Sequence, residues 1–532
     1  MERQQALDSL NGETQSFDVV VIGGGITGAG VAREAAGSGL KTLLVEQKDF
    51  AWGSSSRSSK MVHGGLRYLA GGHIGLTRDA VRERERMMHE APGLVDPLPF
   101  LMPHYRGNFP GPGLFQILLA LYDRLAGTRS HQKYTQAETL QWIPGLTLDG
   151  LRATSRFTDA VTDDARLVQR LIAEASQDGA VCLNYVTATA IDRDNTGAVC
   201  GLQLVPEEFT GEHAISVTTR CVINAAGAWA DRLQKQSATD SPLTIRPLRG
   251  SHLVIPWEKL PVTCAVSLLH PADQRPVFAF PWAGTTVLGT TDLEHQGNLN
   301  QEPAITREEV DYLLHIATRL FPGAGIKQAN VLSTWAGVRP VVTEGDGKAP
   351  SQENREHAIR QDHGLISIAG GKLTTFRPMA RQALAMALGD HGKSQLRADQ
   401  QPVFTPPPHA RKPAGLPSLT WNRLGGYYGA GRQALLSEGN SAEIPGTGTL
   451  WAELEWACRH EQVQHLDDLM LRRSRLGLIL PDGGEPLLPA IRERCQGLLG
   501  WDDQHWNREQ DRYLAIYRGA YQLPQRGEAH GG

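Results

Sequence analysis

The chain has 532 residues, 40% of them hydrophobic and 21% charged, a composition typical of folded globular domains rather than of disordered or fibrous proteins. The net charge of −4 provides no overall basic field, so we expect no binding to nucleic acid. The six cysteines are far apart and form no C-x-x-C pair, which disfavours zinc ribbons and cysteine-ligated iron–sulfur clusters, and no metal site is predicted. This cysteine usage fits a reducing cytoplasm.

The N-terminal third of the chain begins with a pattern typical of nucleotide binding. Residues 1–16 lack the cationic start and apolar core of a secretory signal, and we expect a flexible extension there. Phe17–Ile22 (FDVVVI) predicts a strand buried on both faces, followed by the turn GGGITG, a helix through Val31–Ala36 and a parallel strand at Lys41–Val45. This order of elements indicates the βαβ unit of a dinucleotide-binding fold.

The glycine turn supplies the first candidate binding residues. Gly23, Gly25 and Gly28 form G-x-G-x-x-G, in which backbone N–H groups and a helix N-terminus can hold a pyrophosphate. Glu46 stands 18 residues after Gly28, at the end of the second strand, where a carboxylate can bind ribose hydroxyls and disfavours the 2′-phosphate of NADP. NAD and FAD remain, and the alternative is an unliganded turn with Glu46 as an ordinary strand-end charge.

The rest of the chain alternates between loop, helix and strand patterns. Ala51–Gly75 is dense in glycine and serine and is predicted to be a ligand loop. Arg246–Asn330 is predicted to be the main part of an inserted antiparallel domain. The other predicted elements are helices at Leu76–His89, Leu114–Leu125 and Pro378–Leu388, strands at Val181–Ala190, Val199–Val205, Ile215–Asn224, within Leu253–Thr291 and at Leu365–Ala369, and a helix-rich tail after the proline-rich run Val403–Pro417.

Eight ordered blocks together resemble one family, the FAD-dependent glycerol-3-phosphate dehydrogenases, within the group of glycine-oxidase-like and D-amino-acid-oxidase-like flavoproteins. The resemblance runs from about Phe17 to the C-terminal helices. The blocks are DVVVIGGGITGAGVAREAAGSGL, SSKMVHGGLRYL, TDDARL, VINAAGAWA, LRGSHLVIP, LGTTD, WAGVRP and GGKLTTFRPMA.

The resemblance implies an α/β plus antiparallel β architecture: an FAD-binding Rossmann-like domain, an inserted substrate domain and a C-terminal helical domain. After the N-terminal extension we assign residues 17–105, 155–245 and 331–392 to the FAD-binding domain and 106–154 and 246–330 to a substrate and membrane-facing domain. Residues 393–417 are assigned to a linker and 418–532 to the helical domain.

FAD is the cofactor that the resemblance implies. Lys372 can stabilise negative charge on a reduced flavin, with a solvent-facing lysine as the alternative, and the alternative for Ala225–Gly227 is tight strand–helix packing. The expected FAD contacts are Gly23, Gly24, Gly25, Thr27, Gly28, Glu46, Ser54, Ser55, Ser58, Ser59, Lys60, His63, Gly64, Val186, Ala225, Gly227, Trp229, Gly370, Gly371, Lys372, Leu373 and Thr374.

A phosphorylated substrate requires converging cations, and the resemblance implies Arg67, Arg339 and Arg355, although surface salt bridges are the alternative for each. Tyr68 and Lys372 are also expected to line the substrate pocket. His252 is the expected proton acceptor for the substrate hydroxyl, because the unperturbed imidazole pKa lies near neutrality, and Arg339 is expected to lower the hydroxyl's pKa. A strand histidine is otherwise usually structural.

The implied reaction is oxidation of sn-glycerol 3-phosphate to dihydroxyacetone phosphate, with electrons passed through FAD to ubiquinone or another quinone. Pro110–Lys133 holds an apolar stretch too short to span a bilayer, and either a membrane-surface helix or a buried helix fits it. We expect a cytoplasmic homodimer attached peripherally to the inner face of the cell membrane. The rival interpretations are an FAD-dependent amine or amino-acid oxidase and a non-catalytic flavin-binding sensor; oxygen as acceptor also stays open.

Overall fold

Three β-sheets and a set of C-terminal helices make up the computed structural model, which describes residues 3–12, 14–208, 214–234, 244–343, 357–389 and 392–525. The strands are β1 (Gln15–Ser16), β2 (Val19–Ile22), β3 (Thr42–Glu46), β4 (Met61–Val62), β5 (Val95–Tyr105), β6 (Gln132–Tyr134), β7 (Leu151–Thr162), β8 (Val181–Asn184), β9 (Val186–Arg193), β10 (Val199–Pro206), β11 (Ile215–Thr218), β12 (Val222–Asn224), β13 (Thr244–Pro256), β14 (Ala265–Leu269), β15 (Pro276–Trp282), β16 (Thr285–Gly289), β17 (Leu293–Glu294), β18 (Ser333–Thr343), β19 (Ala358–Asp362) and β20 (Leu365–Ala369).

The helices are α1 (Arg3–Gly12), α2 (Ile26–Ala36), α3 (Leu66–Ala70), α4 (Ile74–Glu90), α5 (Pro112–Ala126), α6 (Gln136–Trp142), α7 (Asp164–Gln177), α8 (Ala230–Gln234), α9 (Arg307–Leu320), α10 (Phe376–Ala387), α11 (Gly392–Gln395), α12 (Ser418–Tyr428), α13 (Arg432–Glu438), α14 (Trp451–His460), α15 (Leu476–Ile479), α16 (Leu488–Cys495) and α17 (Asp503–Ala520). No helix in the described ranges has both the length and the apolar character needed to cross a bilayer.

The first sheet has six strands in the order β19-β20-β12-β2-β3-β8, and the pairs from β20 to β8 are parallel. All four residues of β2 are buried, because helices α2, α7 and α10 pack together on one face and the four-stranded sheet β1-β11-β10-β9 lies with α1 on the other. The predicted strand–glycine–helix–strand unit is therefore confirmed, and it places the glycine turn at the carboxyl end of β2.

The N-terminal extension is not the flexible segment that we expected. Residues Arg3–Gly12 form α1, whose Ala6, Leu7 and Leu10 are buried in the same apolar cluster as Val20. Short amphipathic helices are marginal in isolation, and this one is stabilised by tertiary packing that a local pattern does not reveal.

The second large sheet has ten strands and is mostly antiparallel, with β18 pairing to β13 over eleven residues from Thr244↔Thr343 to Val254↔Ser333. This sheet contains the strands β13 to β17, which lie almost entirely within the run predicted as antiparallel, together with strands from other parts of the chain. Strands β5, β7 and β18 belong to this sheet, although the sequence assigned most of their residues to the FAD-binding domain. Their partners are distant in sequence, and the pattern of one strand does not identify its neighbour. The boundaries between domains stay a prediction.

The C-terminal helices are joined to the six-stranded sheet through buried ion pairs. Arg472 and Arg473, in a π-helical turn at Asp468–Arg473, hold Asp49 with N–O distances of 2.6 Å. The run predicted as a linker is packed as well: Val403 and Phe404 are buried, and the Thr405 N–H donates to Glu174. The predicted architecture of α/β plus antiparallel β with a helical C-terminal part is confirmed.

Candidate active site

A cleft of about 1220 Å³ lies at the carboxyl ends of the parallel strands and extends along the ten-stranded sheet. Open α/β sheets bind ligands at this edge. Most of the predicted cofactor residues line it: Gly23, Gly25, Thr27, Glu46, Ser54, Ser55, Ser58, Ser59, His63, Val186, Ala225, Gly227, Trp229, Gly370, Gly371, Lys372, Leu373 and Thr374. Residues from four distant parts of the chain thus meet in one space.

The glycine turn between β2 and α2 is shaped by close backbone contacts. Gly23 has a φ of +108°, and a Cβ there would lie 2.6 Å from the Ala225 carbonyl oxygen. A Cβ on Gly28 would overlap the Gly23 carbonyl oxygen. The turn therefore requires glycine, and the N-terminus of α2 starts at the cleft wall with Gly25 and Thr27 lining it. This is the arrangement that binds a pyrophosphate.

Glu46 ends β3 at the cleft, as predicted. Its two carboxylate oxygens accept the N–H groups of Gly24 at 2.7 Å and Lys48 at 2.9 Å. Burial raises the pKa of this carboxyl above its usual range, against those backbone hydrogen bonds. A carboxylate oxygen has a second lone pair, so Glu46 can still accept a ribose hydroxyl.

The glycine- and serine-rich loop is held from behind by the ten-stranded sheet and α7. Ser54 donates to the carbonyl oxygen of Val338, and the Ser58 N–H and hydroxyl donate to Asp164 at 2.9 and 2.7 Å. The Trp335 indole N–H donates to the Ser58 carbonyl oxygen at 3.2 Å. The loop is therefore fixed before any ligand binds.

Lys60 was predicted to contact FAD, and the structure places it elsewhere. Its Nζ lies 2.8 Å from an Asp164 oxygen, fully buried between the rings of Trp282 and Trp335. Burial, with the nearby Arg475 charge, lowers the pKa of Lys60 to about 8 despite the Asp164 carboxylate. Lys60 acts as a structural counter-charge behind the loop.

Three of the glycines predicted to contact FAD do not line the cleft. Gly24 donates to Glu46, Gly28 contacts the glycine turn, and the Gly64 N–H donates to the Tyr122 hydroxyl at 2.9 Å. The lack of a side chain lets Gly28 approach the Gly23 carbonyl oxygen, and it leaves room for the side chains of Phe50 beside Gly24 and of Tyr122 beside Gly64.

Two arginines meet at one carboxylate on the sheet side of the cleft. Arg339, from β18, lies 3.3 Å from Asp292, and Arg275 donates to the Asp292 carbonyl oxygen at 2.8 Å, with its Nη1 3.7 Å from the carboxylate. Lys372 lies 3.4 Å from the centre of the Tyr68 ring, and all five side chains line the cleft. Among the described residues, this side of the cleft therefore has more cationic than anionic side chains.

The sequence missed Arg275 and Asp292 as site residues. Asp292 ends the block LGTTD, which was quoted for the resemblance, but Arg275 belongs to a hairpin tip (DQRP) that resembles many surface turns. Its position in the cleft follows from the pairing of β14, β15 and β16, which the local pattern does not give. The proline after it and the strand VFAFPW were the available signals.

Two of the predicted substrate arginines are not tested. Arg355 lies outside the described residues, and Arg67 belongs to α3 with a side chain that the structure does not describe. Both stay predictions.

His252 lies behind the cleft wall, 1% exposed, and this corrects the expectation that it lies directly against the substrate. Its Nε2 is 3.0 Å from the hydroxyl of Ser59, which does line the cleft. Its ring stacks on Trp335 at 4.9 Å, and Nδ1 has no hydrogen-bond partner among the described residues. Burial, together with the charges of Arg339 and Lys60, holds the pKa of His252 well below its usual value, so the ring is neutral at pH 7.

An apolar arm of the cleft reaches the surface beside α5. It is lined by Phe100, Met102, Phe109, Phe115, Leu118, Phe157, Leu269 and Phe278. Phe109 is 78% exposed, and the outer side of α5 exposes Leu114 (53%) and Ile117 (70%). One helix therefore contributes both to the cleft wall and to an exposed apolar surface.

Comparisons with known proteins agree with this geometry. Residues 18–377 match the FAD dependent oxidoreductase family, and residues 367–506 match the C-terminal domain of alpha-glycerophosphate oxidase. The chain is 34% identical to an aerobic glycerol-3-phosphate dehydrogenase of Staphylococcus haemolyticus, covering 88% of this chain and 90% of that protein. It is 32% identical to the Staphylococcus aureus protein of the same name, covering 87% of each.

Among solved structures, the glycerol-3-phosphate dehydrogenase from Bacillus halodurans complexed with FAD has a TM-score of 0.75 and 26% identity, covering 97% of each chain. The L-alpha-glycerophosphate oxidase from Mycoplasma pneumoniae with FAD bound shares the fold, with a TM-score of 0.59 and 18% identity over 75% of this chain. The predicted resemblance and the predicted cofactor, FAD, are confirmed. The chain therefore belongs to the FAD-dependent oxidoreductases, and among them to the family of the aerobic glycerol-3-phosphate dehydrogenases.

Proposed function

We propose that the protein oxidises sn-glycerol 3-phosphate to dihydroxyacetone phosphate and passes the electrons to a quinone at a membrane surface. The observation that carries the proposal is the meeting of Arg275, from the β14–β15 hairpin tip, and Arg339, from β18, at one carboxylate in the cleft. Planar guanidinium groups bind phosphate in two places at once. The names of the relatives point to the same substrate.

The residues of the cleft fit FAD. The N-terminus of α2 at Gly25 and Thr27 would hold the pyrophosphate, and Glu46 would hold ribose hydroxyls. His63 and Lys372, which line the cleft beyond the turn, would lie on the side of the flavin ring. When bound, FAD supplies the hydride acceptor.

Arg275, Arg339 and Lys372 bind the substrate phosphate in this proposal, and Arg67 and Arg355 are proposed to join them. Among the described residues, these three cations outnumber the two carboxylates that pair with them, Asp292 and Asp273, so a dianion gains attraction on entering. Tyr68, against Lys372, limits where that ammonium group can move.

The substrate hydroxyl proton is proposed to pass to His252 through the Ser59 hydroxyl. The geometry supports this route because Ser59 lies between the cleft and the imidazole, at 3.0 Å from Nε2. The lowered pKa of His252 keeps the ring unprotonated before substrate binds, so Nε2 has a lone pair for the Ser59 hydroxyl, and the same burial makes the ring a weak base. The positive charge of Arg339 stabilises the alkoxide that forms as the proton leaves.

The apolar arm and the exposed side of α5 support the quinone and membrane parts of the proposal. An arm lined by aromatic and aliphatic side chains suits an apolar ring, and it reaches the surface where Leu114 and Ile117 are exposed. Arg124, Arg129 and Lys133, also exposed, follow in the chain and would meet anionic headgroups. We propose peripheral attachment on the cytoplasmic side, and a homodimer.

Anaerobic titration of the yellow holoprotein tests the substrate. Glycerol 3-phosphate should bleach the visible flavin absorbance, and glycerol should not, since it lacks the phosphate. Bleaching by amino acids instead would favour the oxidase interpretation, and no bleaching by either would favour the flavin-binding sensor. Reoxidation by a ubiquinone analogue faster than by oxygen would identify the acceptor.

Vesicle flotation tests the membrane part. Phosphatidylglycerol vesicles should carry the protein, and Ile117→Glu should abolish flotation without changing the bleaching by glycerol 3-phosphate. Leu419→Glu is the matched control, because Leu419 is 82% exposed on α12. Equal flotation of wild type and Ile117→Glu would contradict the assignment of this surface, and light scattering of the same samples would test the dimer.

The proton route is tested by comparing two histidine variants. His252→Asn should slow flavin reduction at saturating substrate with little change in FAD content. His63→Asn is the comparison, since His63 lines the cleft itself. Loss of reduction in the His63 variant alone would overturn the route through Ser59.

A further inference from the structure

Tyr521, just after α17, contacts two segments that form the cleft. Its hydroxyl donates to Glu302 at 2.8 Å and accepts the Arg57 Nε–H at 3.0 Å. Its carbonyl oxygen accepts the N–H of Thr334, in β18, at 2.7 Å. A residue near the C-terminal end of the described chain is thereby joined to the ligand loop and to the strand that carries Arg339.

Arg57 connects the Tyr521 hydroxyl to the ligand loop at Ala51–Gly75. Its side chain is almost fully buried, yet it lines the cleft, and its guanidinium donates to the carbonyl oxygens of Trp52 and Gly53 and pairs with Glu302. The two carbonyl groups lie just before the serine turn at Ser54–Ser56. The position of the guanidinium therefore fixes where the loop enters the cleft.

Strand β18 is packed against the same residue from the other side. A Cβ on Gly337 would overlap the Arg57 carbonyl oxygen, so the strand and the loop are in direct backbone contact. Tyr517, one turn before Tyr521, donates to the Leu332 carbonyl oxygen at 3.1 Å, just ahead of β18. The end of α17 thus holds both walls of this part of the cleft.

The Tyr521 hydroxyl has no replacement in this arrangement. Among the described residues, one carboxylate oxygen of Glu302 already lacks a hydrogen-bond partner, and the other accepts from Arg57 and Tyr521. Removing the hydroxyl takes a donor from a buried carboxylate and an acceptor from a buried guanidinium. Leaving buried charged groups short of partners costs more than the hydrogen bond alone contributes.

We propose that Tyr521 is a positioning residue for the FAD site: through Arg57 and β18 it holds the ligand loop in the binding conformation, so the C-terminal helices complete the cofactor site. The inference rests on the proposed position of FAD in the cleft. It does not depend on the substrate, because its measurement is the release of FAD.

Tyr521→Phe in the full-length holoprotein tests the proposal, with FAD release followed after dilution by the rise of free-flavin fluorescence. We expect about tenfold faster release and weaker rebinding, the equivalent of one charge-assisted hydrogen bond. Tyr513→Phe is the matched control: this tyrosine is buried in α17, which Tyr521 directly follows, and its hydroxyl donates to the Gly483 carbonyl oxygen within the C-terminal helices. We expect it to lower the melting temperature without faster release.

The comparison separates positioning from general loss of stability. FAD release from Tyr521→Phe within twofold of wild type, or release accelerated equally in both variants, would overturn the proposal. If Tyr521→Phe does not fold, Glu302→Gln tests the same contact without altering the C-terminal helices, and unchanged release from it would overturn the proposal as well. Bleaching by glycerol 3-phosphate, measured separately, reports on the proposed substrate.

Discussion

Replacing Arg275 by alanine should weaken substrate binding without slowing the chemical step. Arg275 lies at a hairpin tip, and its proposed contact is with the phosphate, which does not change during oxidation of the carbinol. An interaction of equal strength in the ground state and the transition state affects KM and leaves kcat unchanged. We expect KM for glycerol 3-phosphate to rise and kcat to change by less than twofold.

The expected size follows from the surroundings of this side chain. A hydrogen bond to a charged group contributes about 1.5–3 kcal/mol, and Arg275 is 28% exposed, so solvent screening favours the lower end. A loss of about 1.5 kcal/mol corresponds to roughly a tenfold higher KM. Arg275→Lys keeps the charge but not the planar guanidinium group, so its KM should lie between the KM of wild type and that of Arg275→Ala.

Steady-state kinetics with a ubiquinone analogue measures both constants, and inhibition by inorganic phosphate gives a second measure of the anion site. Arg246→Ala is the matched control, because Arg246 is in β13 of the same sheet and pairs with Glu294 at 3.2 Å near the surface. Unchanged KM and unchanged phosphate inhibition in Arg275→Ala would refute the reasoning, as would a kcat that falls as much as kcat/KM.

Three other predictions concern the glycine turn and two contacts of the C-terminal helices. Gly28→Ala should give colourless protein, because its methyl group would overlap a carbonyl oxygen in the turn, whereas Gly75→Ala, with open space around it, should stay yellow. Asp49→Asn should lower the free energy of unfolding by about 3–5 kcal/mol in urea titrations, because two buried arginines lose their carboxylate; a loss below 1 kcal/mol would contradict this. The ion pair with Glu207, at 4.0 Å, and the hydrogen bond to Glu509, at 3.0 Å, raise the pKa of His465 to about 10 despite burial, so its stabilisation is complete below pH 6.5, the usual value, and is lost as the pH rises to 10. The melting temperature should therefore fall more steeply with pH over this range in wild type than in His465→Gln. Parallel plots of melting temperature against pH would show that His465 does not cause this dependence.

Local pattern was sufficient for the nucleotide-binding half of the site. The glycine turn and Glu46 lie within one βαβ unit, where strand, turn and helix follow each other, and close contacts at Gly23 and Gly28 require the residue type that the motif shows. Such short-range constraints are visible in sequence because the partners are neighbours in the chain.

The site residues whose positions were predicted wrongly depend on pairing between strands that are distant in the sequence. The burial of Lys60 depends on Trp282 and Trp335, which come from strands of the ten-stranded sheet. His252 was expected to face the substrate, but strands on both sides cover it: a Cβ on Gly289 would overlap the ring, and Trp335 stacks on the other face. Whether a strand residue points to a cleft or to a core depends on its neighbours in the sheet, and these were not known.

The contact between Asp49 and the π-helical turn has a consequence for biosynthesis. The arginines that pair with Asp49 lie 423 and 424 positions further along the chain. The Asp49 carboxylate therefore lacks these partners until the ribosome has synthesised that part of the chain. At about 5–20 residues per second that delay is roughly 20–85 s. A nascent polypeptide released early would expose this charge beside an unfinished sheet, which makes truncated products natural targets for chaperones and proteases.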